Sequence, residues 1–136
     1  MDRSGIIPSQ MPRLVWICLG GALGSGARYL VGLWAVERFG PAFPYGTLVV
    51  NILGCFIIAA VMHAALQFEW SPTLRMAITV GFVGGLTTYS SFNYETMRLF
   101  ETGTPALALM NVLATLVAGA VAGWLGLVVS RGLIGG

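Results

Sequence analysis

The sequence predicts an all-α membrane protein of four transmembrane helices, with the third helix broken within the membrane. Three observations carry this. The chain has 136 residues, 57% hydrophobic and only 9% charged, with a mean hydropathy of +0.84, whereas soluble domains carry about 25% charged residues. Its apolar residues gather into segments long enough to cross a hydrocarbon core, which takes about 20 helical residues. One segment is interrupted by GFVGGLTTYSSFNYE, Gly81 to Glu95, where glycines give way to Thr87, Thr88, Tyr89, Ser90 and Ser91 in unbroken succession. Backbone groups freed in hydrocarbon find no water, so a break is tolerated only where protein covers it or an aqueous cavity adjoins it. That stretch is therefore the working part of the molecule.

The elements follow in order within one domain over residues 1–136. Met1 to Arg13 are polar, carry Pro8 and Pro12, and read as a tail; no small-residue cleavage motif follows the first apolar run, so no signal peptide is expected. The first span covers about 14–36 and is interrupted by Arg28; Gly20, Gly21, Gly24 and Gly26 place small residues a turn apart, which lets another helix approach closely. A link with Gly40, Pro41 and Pro44 leads to a second span, about 45–67, with Asn51 two turns in. His63 lies near the end of that span, at the interface, and Trp70 in the next link suits the same belt. The third span, about 73–100, holds the break, expected over Gly84 to Thr88, and exits at Glu95, Arg98 and Glu101. The fourth, about 106–129, follows Gly103 and Pro105 and carries Asn111 and Thr115 one turn apart.

An even number of spans puts both termini on one side. Orientation follows the arginines, yet Arg13, Arg75 and Arg131 on that side are nearly balanced by Arg38 and Arg98 on the other. So weak a bias permits insertion both ways. Four helices enclose a polar path poorly without exposing it to lipid, so a homo-oligomer is expected, and mixed insertion permits an antiparallel one.

Composition also excludes. All seven basic residues are arginine and the net charge is +2, too small and scattered for a nucleic-acid surface. Cys18 and Cys55 fall in apolar segments and act as small hydrophobes, and with the lone His63 they make no zinc set. No nucleophile and base stand at reactive spacing, so no enzyme is expected.

Inside a bilayer each polar residue needs a partner or a cavity. Here these are Arg28, Asn51, the Thr87 to Asn93 run, Asn111 and Thr115, with no Asp, Glu or Lys deep in a span. Amide N–H and hydroxyl groups are donors, and neutral donors beside a cation favour an anion. Tyr89 and Phe92 are three apart on one helical face, and aromatic edges carry partial positive charge. Carbonyls opened by the break suit a small cation, as unwound backbone does in transporters. Each feature has a packing reading too. Glycine spacing serves helix contact, hydroxyls bond back to the i−4 carbonyl, and a single Asn serves as interhelical glue worth about 0.6 kcal/mol. Arg28 either snorkels or pairs with a carbonyl.

GGLTTYSSF at Gly84 to Phe92 closely resembles the GGLTTFSTF signature of the Fluc/CrcB fluoride-channel family, and GGALGSGARY at Gly20 to Tyr29, GTLVVNILGCF at Gly46 to Phe56 and NVLATLVAGAVAGWLG at Asn111 to Gly126 match in the same order. The resemblance implies a passive channel that lets fluoride leave the cytoplasm, set in the inner (plasma) membrane as an antiparallel, dual-topology homodimer with two pores. It implies that Asn51 donates to the ion, that Tyr89 and Phe92 take the place of paired phenylalanines, with Ser90 and Ser91 between them, and that Asn111 and Thr115 form a polar track. The Gly84 and Thr87 carbonyls would hold a structural sodium ion. Arg28 and Glu95 match charged positions and are given no firm role. Tyr89 departs from the family phenylalanine, where its hydroxyl either bonds an anion or narrows the path, and Asn111 stands where a tyrosine is common.

Two other classes compete. A small proton-coupled multidrug exporter also has four helices, but it needs a carboxylate within the membrane, and Glu37, Glu69, Glu95 and Glu101 lie near span ends. A structural subunit of a larger membrane complex would need only the glycines.

Overall fold

A computed structural model describes residues 6–135, which form helices and no strand. Helix α1, Ile6–Phe39, has 34 residues, so its length is roughly 51 Å at 1.5 Å per residue, against a hydrocarbon core of about 30 Å. The tail expected to reach Arg13 is thus shorter: the chain is helical from Ile6, with Pro12 inside the helix, and residues 1–5 lie outside the described ones. Pro8 falls in the first turn, where backbone N–H groups have no intrahelical acceptor. Beside Pro12, Arg13 Nη1 donates to Gln10 Oε1 at 2.6 Å. Gly40, at φ +80°, closes α1 by donating its N–H to the Val36 carbonyl at 2.9 Å, a left-handed cap that a side chain would strain.

Helix α2 is Tyr45–Gln67. The third segment starts at α3, Pro72–Met76, where Ser71 Oγ accepts the Leu74 N–H at 3.2 Å and Pro72 takes the first helical position. It continues as a π-helical stretch, Ala77–Val83, and then α4, Gly84–Leu86. Thr87 (φ −84°, ψ 156°) and Thr88 (φ −153°, ψ 118°) are extended before α5, Tyr89–Glu101, begins. The glycines do not make this interruption. Gly84 and Gly85 stay helical, and Gly85 is pressed so close to the Gly21 carbonyl of α1 that a Cβ would not fit. The residues that leave the helix are the β-branched threonines, which tolerate extended backbone, and Thr88 then caps α5. Helix α6, Pro105–Ile134, closes the chain with 30 residues.

Three helical stretches, Ser9–Phe39, Tyr45–Gln67 and Pro105–Ile134, are long and apolar enough to cross a membrane. The segment expected to span about 73–100 is divided into shorter pieces and is not among them.

Packing joins helices that run parallel. Gly20 and Gly24 of α1 sit against the carbonyl oxygens of Ala77 and Phe82, and Gly81 and Gly85 return the contact on Ile17 and Gly21. Backbone meets backbone here, the arrangement that small residues allow and that Cα–H···O contacts favour. Helices α2 and α6 pair in the same sense: Gly126 abuts the Phe56 carbonyl, and Ser130 Oγ donates to Ala60 O at 3.2 Å. His63, expected at the interface, is half-buried, with Nδ1 2.9 Å from Ser130 Oγ. Helices α1 and α6 do not pack on one another. The third segment packs on α1 before the two threonines, and α5 packs chiefly on α6 after them. The interruption transfers the chain from one helix pair to the other.

Candidate functional site

Two extended residues between helices leave backbone groups without helical partners, and inside a membrane each must be matched. Thr87 donates both N–H and Oγ1–H back to the Val83 carbonyl, at 3.0 and 2.9 Å. Thr88 is matched from another helix: its N–H donates to Asn51 Oδ1 at 2.8 Å, and its carbonyl accepts from Asn51 Nδ2 at 3.1 Å. The side-chain amide of Asn51 thus stands in for a neighbouring peptide group. It retains one further N–H, since a primary amide carries two. Thr88 Oγ1 accepts the Ser91 N–H at 3.1 Å and lies 3.1 Å from Ser91 Oγ and 3.3 Å from Ser90 Oγ. Arg28 Nη1 reaches the Thr87 carbonyl at 3.5 Å, so of the two readings open to Arg28 the carbonyl contact is the one formed.

Beside this network lies a cavity of about 490 Å³ whose polar lining is Ser25, Arg28, Tyr29, Thr47, Thr88 and Ser91. One guanidinium and five hydroxyl side chains line it, with no carboxylate. The guanidinium attracts an anion, and the Ser25, Tyr29 and Ser91 hydroxyls are donors to replace its water, those of Thr47 and Thr88 being spent on Glu95 and Ser91. A second cavity of about 540 Å³ shares Thr47 and adds Glu95 and Arg98. Thr47 Oγ1 donates to Glu95 Oε1 at 2.8 Å, while Glu95 Oε2 is buried without a partner.

The remaining site residues separate. Tyr89 and Phe92 have ring centroids 5.8 Å apart at 52°; Tyr89 is 79% exposed, Ser90 is exposed, and Ser91 and Phe92 are half-buried. Asn111 is 1% exposed and donates to Thr96 Oγ1 at 2.9 Å, and Thr96 Oγ1 donates to Phe92 O at 2.7 Å. Thr115 Oγ1 is buried with no partner among the described residues. Asn51, the threonines, the serines and Arg28 therefore form one cluster, and Asn111 with Phe92 forms another.

The carbonyls assigned to a cation can be tested on the same bonds. A regular helix would give Gly84 O the N–H of Thr88, but that N–H goes to Asn51. The Gly84 carbonyl is left without that donor, and Thr87 O has only the long contact to Arg28. Two neutral oxygens opened at one bend fit a small hard cation. The described residues hold no cluster of His, Cys, Asp and Glu for another metal.

Sequence reasoning missed Thr88 as the hub, and Thr47 and Thr96. Thr47 precedes Asn51 by one turn on the same face of α2, and Thr96 follows Phe92 by one turn, so helical spacing held a signal for both.

A family model described as CrcB-like protein, Camphor Resistance (CrcB), matches residues 15–127. The chain is 52% identical over 126 residues, 92% of its length and all of the relative's, to a protein of Anaeromyxobacter sp. named fluoride-specific ion channel FluC. It is 51% identical over 127 residues to the protein of that name in Sorangium cellulosum, covering 93% of this chain and all of the relative. In Acidobacterium capsulatum the figure is 42% over 123 residues, 90% and 98% of the two chains.

Proposed function

The chain belongs to the CrcB-like family, whose members are channels rather than enzymes, and on that footing we propose that it is a passive, fluoride-selective ion channel. It is a multi-pass membrane protein that releases fluoride from the cytoplasm across the inner membrane. The observation that carries the reading is the cavity at the interrupted segment, lined by Arg28 and five hydroxyl side chains and free of carboxylate. Fluoride is small and strongly hydrated. A path must replace its water with close donors, and several weak sites in series let it leave again. Hydrofluoric acid crosses lipid uncharged and dissociates at cytoplasmic pH, trapping the anion, so a passive exit is enough.

In this reading the third segment is the fourth span, its interruption within the membrane and covered by α1 and α2. The ion passes the free amide N–H of Asn51, the Ser90 and Ser91 hydroxyls, the edges of Tyr89 and Phe92, and the Thr115 hydroxyl, with Asn111 beside them on α6. Tyr89 and Ser90 stay exposed in one copy, where lipid would meet their hydroxyls. A second, antiparallel copy would cover them and give the homodimer two pores. The Gly84 and Thr87 carbonyls of both copies would hold a structural sodium ion, whose charge offsets their dipoles and ties the copies together.

Proteoliposomes loaded with fluoride are expected to show electrogenic efflux, followed with a fluoride electrode. A proton-coupled exporter or a structural subunit would give none, and absence of efflux would end the reading. For the sodium ion, exchange into a large organic cation is expected to lower the dimer's thermal stability. Equal stability in both salts would remove the bound cation.

A further inference from the structure

We propose that Asn111 is a positioning residue, which acts through Thr96 to fix the turn of α5 that carries Phe92, and not a donor to the passing ion. The proposal rests on the fluoride reading and changes what the last helix contributes to it. The hydrogen-bond directions leave little choice. A threonine hydroxyl has one proton, and that of Thr96 goes to the Phe92 carbonyl at 2.7 Å. Its oxygen is then an acceptor, and Asn111 Nδ2 supplies the proton at 2.9 Å. Asn111 is 1% exposed and Thr96 7% exposed, so neither side chain faces a cavity.

The mechanics follow from how α5 is held. Beyond the extended threonines it no longer touches α1, meets α2 at few points, the Thr47–Glu95 hydrogen bond among them, and rests mainly on α6. The Asn111–Thr96–Phe92 relay is the directional tie on the α6 side, at the turn that carries Phe92, while Thr47 holds Glu95 one turn further on. A few degrees of rotation would swing the Phe92 ring, and with it the Tyr89 ring 5.8 Å away, off the line on which their edges meet an ion. On α6 this leaves the buried, unpartnered Thr115 hydroxyl as the free donor.

Efflux from reconstituted vesicles tests this with four variants. Thr96→Val keeps the shape and removes the hydroxyl; Asn111→Leu removes the amide. Each is expected to slow fluoride efflux roughly threefold to tenfold, the scale of one net hydrogen bond, with the dimer still assembled. The double variant is expected to be no slower than the worse single one, because both cut the same relay. Thr96→Ser is expected to restore efflux, since it keeps the proton. If Thr96→Val fails to assemble, Thr96→Ala against Thr96→Ser makes the same comparison. Wild-type efflux in Thr96→Val with a slow Asn111→Leu would put Asn111 in the path itself and overturn the proposal, as would additive losses in the double variant. No efflux from the unmodified channel would instead remove the fluoride reading, and the relay's purpose with it.

Discussion

Replacing Asn51 by Leu is expected to abolish fluoride efflux and to loosen the whole third segment. Leu has the same branched shape, somewhat larger, and no polar atom, so the Thr88 N–H and carbonyl lose their partners together. An orphaned buried group costs about 1–3 kcal/mol, which puts the pair at about 2–6 kcal/mol, a large part of the margin that holds most folds together. The remaining amide N–H goes as well. A hydrogen bond to a charged group contributes about 1.5–3 kcal/mol, or roughly tenfold to a hundredfold in rate. Efflux and thermal unfolding should be measured on the same preparation. A variant that unfolds at the wild-type temperature would show that the amide does not brace the bend.

Phe92→Ile is expected to act differently: flux falls on the order of tenfold, the equivalent of ~1.4 kcal/mol, while the dimer runs unchanged on size exclusion. The substitution removes a polarised ring edge and keeps apolar bulk. It leaves the Phe92 backbone carbonyl, and so the bond from Thr96, in place. The pair separates two ways of failing: Asn51 supports the bend and serves the ion, whereas Phe92 serves the ion alone. Full efflux from the isoleucine variant would take the ring out of the path.

The helices were legible because hydropathy and length are one-dimensional signals, and so were the polar residues that stand out against hydrocarbon. Which of them touch was not. Asn51 and Thr88 are 37 positions apart and Asn111 and Thr96 are 15 apart, and nothing in the local pattern of either helix announces its partner. The interruption was expected over Gly84 to Thr88, and within that stretch the structure spends Gly85 on contact with α1 and leaves the bend to the threonines. Glycine permits both a kink and a close approach, and only the neighbour decides between them. The start of α1 was misplaced because both prolines were read as marks of a tail: Pro8 sits in the first turn, where no N–H is needed, and Pro12 is carried inside the helix.

The length of α1 has one more consequence. At 34 residues it outruns α2, which has 23, so where α2 matches the oily slab the leading turns of α1 must stand in water as a rod on one side only. Every copy therefore wears a flag that tells which way it was threaded. In sealed vesicles a protease added from outside could shave that rod only from copies pointing outward, and the surviving fraction would count the two orientations directly.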